Sequence, residues 1–180
     1  MELKASFRVL GPGERPSFRS ERVAAFHDYW LGLSRDGNLP PRAAIDPAAM
    51  RPLLPYVMII DLEGTGDADL RIRYRLVGTA VAKFSGLDFT GHYLDELDFD
   101  ICTTDDLLAA YAEIRRARAP GLGLAFARLE DDQVMDVEYL ICPLAPAAPG
   151  DPVRQCIAVE DYMPSAHFDP ARTKLGRKTF

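Results

Sequence analysis

Tyr56-Val57-Met58-Ile59-Ile60-Asp61-Leu62, a polar turn from Glu63 to Asp69, and Arg71-Ile72-Arg73-Tyr74-Arg75-Leu76-Val77 together decide how this chain folds. The first run is an apolar strand. The second alternates strictly, placing Ile72, Tyr74 and Leu76 on one face and three arginines on the other. That is the pattern of a half-buried strand in an antiparallel pair. Gly78-Thr79 then breaks the strand, Ala80 to Ser85 forms a short helix, and Gly86-Leu87-Asp88-Phe89-Thr90-Gly91 turns sharply away.

Upstream of this stretch, Ser20 caps a helix that runs to about Ser34, with Val23, Phe26, Trp30 and Leu33 on one stripe. Gly37 stops it. The stripe is too apolar to stand free, so the helix packs either on its own domain or on a second copy. Residues 1–18 carry little periodicity and read as a loosely held arm. Leu39 to Pro55 is a proline-rich linker, in which Asp46 caps a single turn with Pro47 at its first position.

Downstream, Tyr93 to Leu97 reads as a helical turn, and Thr103 or Thr104 opens the best helix of the chain, ending near Arg118. Leu107, Ala110, Tyr111 and Ile114 form its buried stripe. Asp105 and Asp106 sit at its start and Arg115, Arg116 and Arg118 at its end, as the helix dipole favours. Three strands close the chain: Leu122 to Glu130, Val134 to Leu144 and Val153 to Tyr162, with Asp131-Asp132 turning between the first two. The expected fold is α+β, a five-stranded antiparallel sheet with short helices and one long helix on one face and an added N-terminal amphipathic helix. The domain spans 19–163 and a basic tail follows at 164–180. The gap between sheet and helices is the natural pocket.

With 180 residues, 48% of them apolar and 27% charged, the chain fits one globular domain. Its net charge of −6 argues against nucleic acid as a partner, because backbone binders carry a basic face. The basic cluster Arg172, Lys174, Arg177 and Lys178 reads as a solvated tail. No apolar run is long enough to span a bilayer, and Glu2, Lys4 and Arg8 interrupt any signal-peptide core, so a cytoplasmic location is expected. Cys102, Cys142 and Cys156 have neither metal-ligand nor disulfide-framework spacing.

Tyr74, Tyr111, Phe126 and Tyr139 fall on inward faces of elements that border the same space, together with Leu76, Phe84, Ile114 and Ile141. Phenols in an apolar space need hydrogen-bond partners, from one another, from the backbone and water, or from a ligand. His92 lies at the turn into this pocket and is either a pH-sensitive group or a solvent-exposed turn residue. His27 and His167 do not converge with it in sequence. Cys102, at the entry to the long helix, is either a tuned thiol or a merely tolerated one. Asp61, Asp95, Asp98 and Asp100 are available acids, yet none is set beside a candidate tyrosine on an inward strand position. The sequence has no phosphate-binding glycine loop, nucleophile elbow or zinc-binding His-Glu-x-x-His.

Tyr29-Trp30, Leu39-Pro40, Arg42, Ile45-Asp46-Pro47, Leu53-Leu54-Pro55, Tyr74-Arg75-Leu76-Val77-Gly78-Thr79 and Phe84-x-Gly86-x-Asp88-x-Thr90-Gly91 occur in order along the chain. By these segments, from Val23 to Tyr162, the chain resembles the PAS superfamily, closest to short single-domain bacterial members once catalogued as a domain of unknown function. The resemblance implies a PAS core with an added N-terminal helix, a role in sensing, signalling or protein association, and no catalytic residues to carry over. It supplies no cofactor: nothing matches the flavin-binding Asn-Cys-Arg-Phe-Leu phrase, and the long helix has no histidine for haem. The expected function is a non-catalytic sensory or adaptor module, binding a small molecule or a signalling protein. The alternative is a ligand-free homodimer joined through Val23, Phe26, Trp30 and Leu33, with a small cone-fold enzyme behind it.

Overall fold

The computed structural model describes residues 5–34, 37–98, 103–128 and 134–165. Along the chain come β1 (Ser6–Val9), α1 (Glu21–Leu33), β2 (Val57–Glu63), β3 (Arg71–Val77), α2 (Thr79–Ser85), α3 (Thr104–Ala117), β4 (Gly121–Arg128), β5 (Val134–Pro143) and β6 (Gln155–Pro164). Short 3-10 turns at Arg42–Ala44, Leu54–Tyr56 and Leu94–Glu96 lie in the connections. All strands join one antiparallel sheet in the order β1-β4-β5-β6-β2-β3. The β2–β3 hairpin docks on β6, and the crossover from β3 to β4 carries α2 and α3 onto one face of the sheet.

The sheet has six strands where five were expected. The additional one, β1, comes from the arm read as loose, and it pairs from Ser6↔Leu124 to Val9↔Gly121. Without it β4 would present an open row of backbone groups, which folded proteins tend to cover. Gly121 makes the docking possible, because a Cβ there would stand 2.5 Å from the Phe7 ring. The Leu10 N–H extends the pairing to the Pro120 carbonyl at 2.8 Å.

Apolar residues cover both faces of the sheet. On one side Met58, Ile60 and Leu62 of β2 meet Val81 of α2 and Tyr111 and Ile114 of α3. On the other, Val57 and Ile59 join Leu140, Cys142, Ile157 and Val159 beneath Val23, Phe26 and Trp30 of α1. The α1 stripe therefore packs on its own sheet, with Leu33 half-buried at its end, and does not form the exposed dimer contact proposed from sequence. The continuous apolar character of β2 is the cause: a strand covered on both faces needs a second layer. Trp30 Nε1 donates to the Pro143 carbonyl at 3.1 Å and fixes the helix lengthwise.

Polar groups seat the start of α1. Ser20 Oγ caps the helix by accepting from the Arg22 and Val23 N–H groups, each at 3.1 Å. Glu138, only 4% exposed, accepts the Arg19 and Ser20 N–H groups at 3.0 and 2.8 Å. Asp136 pairs with Arg19 at 2.8 Å, and Asp161 accepts from Ser20 Oγ and Arg22. Since Glu138 and Asp161 are register partners on β5 and β6, two like charges face each other until the helix start supplies donors to both.

Candidate functional site

The face beneath α2 and α3 holds an inner phenol pair. Tyr74, from β3, and Tyr111, from α3, are both almost fully buried, with their phenols near enough to influence each other. Burial first, with the nearby Glu160 carboxyl adding to it, pushes the Tyr111 hydroxyl well above its ordinary pKa, so it stays protonated. Phe89 meets the Tyr74 ring edge-on at 4.8 Å. Arg115, 6% exposed, donates to the Gly64 and Gly66 carbonyls at 2.6 and 3.4 Å, tying α3 to the β2–β3 turn that positions Tyr74.

A second polar pair lies at the β4–β5–β6 end. Tyr162 donates to Glu160 Oε2 at 2.8 Å, and its ring stacks on Phe84 of α2 at 3.8 Å. Ala125, Ala127 and Val137 form the floor under these rings. Gly123 is equally constrained, because a Cβ there would lie 2.0 Å from the Tyr139 ring. Burial pushes the Glu160 carboxyl up, and the Tyr162 hydrogen bond opposes that shift. The Tyr162 hydroxyl moves up for the same reason, with the Glu160 charge adding to it, and burial alone raises the Cys156 thiol. The arrangement is two polar pairs, Tyr74 with Tyr111 and Glu160 with Tyr162, in apolar surroundings.

Of the residues singled out from sequence, Tyr74, Tyr111, Ile114, Tyr139 and Ile141 come together in this core, with Phe84 at its end. Leu76 does not join them and is 46% exposed. A bulge in the β2–β3 pairing matches Ile59 to Leu76 but Ile60 to Tyr74, so the extra residue Arg75 reverses the alternation beyond it. Val77 takes the buried position instead. Phe126 also faces away: Gly123, Ala125 and Ala127 hold the inward phase of β4, which leaves Phe126 half-buried on the opposite face. His92 is exposed, 3.7 Å from Glu96 on the outer turn, and only its carbonyl reaches β3, accepting the Tyr74 N–H at 2.9 Å.

Among the acids, Asp61 accepts from Arg75 and Gln155, while Asp95 pairs with Arg71 at the surface. Cys142 and Cys156 are buried in separate cores on the two faces. Asp100, Cys102, the turn at Asp131-Asp132, His167 and the basic tail from residue 166 lie outside the described residues. Sequence reasoning missed Glu160 and Tyr162. The signal was present, since Cys156, Ala158, Glu160 and Tyr162 alternate with Ile157, Val159 and Asp161, and the first two mark the inward phase.

Among the described residues, no group of three or more His, Cys, Asp or Glu side chains is arranged to hold a metal, and no helix is long and apolar enough to cross a membrane.

Residues 18–156 match a PAS domain family, and the chain belongs to it. PAS domains are a sensory and signalling class of module, and the sheet with its inserted helices is that fold. A search of curated proteins finds no match. Solved structures similar to the chain include an RNA-binding Light-Oxygen-Voltage receptor, 12% identical with a TM-score of 0.48, the match covering 87% of this chain and 38% of that one.

Proposed function

We propose that the protein is a non-catalytic sensory or adaptor module that holds a small molecule between the sheet and helices α2 and α3 and signals its presence to a partner protein. The observation that carries this reading is the pair of polar clusters, Tyr74–Tyr111 and Glu160–Tyr162, set into one otherwise apolar face. Hydroxyl and carboxyl groups in such a place orient a ligand. A ligand acts by binding one arrangement of α2 and α3 more tightly than another.

Native mass spectrometry of the full chain, before and after denaturation, tests the proposal. The expected result is a stoichiometric small molecule released on unfolding and retained less well by Tyr111→Phe. A second reading is a ligand-free interaction module, its space filled by Tyr74, Tyr111 and Tyr139, and the seating of the Tyr139 ring against Gly123 favours it. A protein empty from both its native and a rich expression host, with no response to a small-molecule library in a melting assay, would establish that second reading over the first.

A further inference from the structure

The strand positions beneath α2 and α3 differ in one respect that bears on ligand chemistry. On β6, Cys156, Ala158, Glu160 and Tyr162 share a face, and Glu160 sits directly opposite Tyr139 of β5. Glu160 is the ionisable carboxyl of that face, and no lysine or arginine hydrogen-bonds to it among the described residues; its hydrogen bond is to the Tyr162 phenol. The Phe84–Tyr162 stack lies beside it, and all three side chains are only partly buried, so this end of the space is reachable from solvent.

For a half-buried carboxylate bonded to a neutral phenol, with no lysine or arginine bonded to it among the described residues, a cationic group presenting N–H donors would supply both charge and hydrogen bonds. An aromatic stack beside the carboxylate favours a flat cation, which can extend it, over a compact ammonium. Resting on the pocket reading above, we propose that the site selects a planar cationic ligand, an amidine, guanidine or protonated aminoheterocycle, whose N–H groups donate to Glu160 while its ring extends the Phe84–Tyr162 stack.

The probes are benzamidine and its neutral counterpart benzamide, titrated into the full chain and followed by the methyl resonances of Ala125, Ala127 and Ala158, which floor this space. Benzamidine is expected to bind at least about tenfold more tightly than benzamide while shifting those methyls, and Glu160→Gln is expected to bring the ratio near one. The unliganded methyl spectrum reports whether that variant folds. A pH series on the unaltered protein gives the same answer without a variant. As Glu160 protonates, the preference must fall, because burial holds the facing Tyr162 and Tyr111 hydroxyls protonated, the third facing group is the Tyr139 phenol, and Lys83 beside Phe84 is exposed. Equal binding of the two probes, a preference that survives Glu160→Gln, or one that is flat with pH would overturn the ligand class and leave the pocket reading standing. Failure of both probes to move the methyls at millimolar concentration would overturn the ligand class, and the pocket reading would then rest on the mass measurement alone.

Discussion

At the residue scale the molecule turns on single side chains placed against their intrinsic preference. Glu160 is the clearest case: burial raises its carboxyl, so the folded state binds the proton more tightly than the unfolded chain. The sign follows directly. The stability linked to this group is fully present below the ordinary carboxylate pKa and is lost as pH rises through the raised value in the folded protein. Glu160→Gln should therefore melt higher than the unaltered protein at pH 7.5, with the gap closing as pH falls toward 4; a gap that widened on acidification would refute the assignment. Such a residue is hard to read in sequence because a glutamate in a strand ordinarily marks the solvent face. Leu76 failed for the opposite reason: its alternation is regular in sequence, and only the partner strand reveals the inserted Arg75. Phe126 shows the same blindness, since the inward phase of β4 belongs to Gly123, Ala125 and Ala127, which carry almost no hydrophobic signal.

At the element scale, what was local was legible. The caps at Ser20 and Thr103 and the apolar stripes of α1 and α3 depend on neighbours within one or two turns, and both helices start where those caps stand. What lay against each stripe was not legible, because α1 had two possible partners and only the second face of the sheet decides between them. The Glu138 carboxylate joins that face to the start of α1. Glu138→Ala should destabilise the protein by about 3 kcal/mol, since it strands the buried Ser20 N–H and removes the acceptor of the Arg19 N–H. Trp30, the single tryptophan, reports the outcome: a red-shifted emission and faster amide exchange confined to α1 are expected, whereas uniform exchange across the sheet would mean that the carboxylate does not seat the helix.

At the scale of the whole molecule, the N-terminal segment belongs to the sheet. Removing residues 1–12 takes away β1 and Leu10, uncovers the β4 edge and frees the site that Phe7 fills beside Gly121. The shortened chain should melt lower and associate at concentrations where the full chain elutes as a single species, because an uncovered edge templates pairing. Unchanged melting and elution would show that β1 is dispensable. The sheet itself divides the interior so that distance along the chain ceases to measure energetic kinship. Ile59 and Ile60 share a peptide bond but belong to different cores, while Phe26 and Ile157, remote in sequence, share one. Changes at Phe26 and Ile157 therefore draw on a common cavity and depart from additivity, whereas changes at Ile59 and Ile60 fall into separate compartments and combine more nearly as a sum. Through this partition the side beneath α2 and α3 and the side that carries α1 can be altered one at a time, each residue of β2 answering to one compartment and its neighbour to the other.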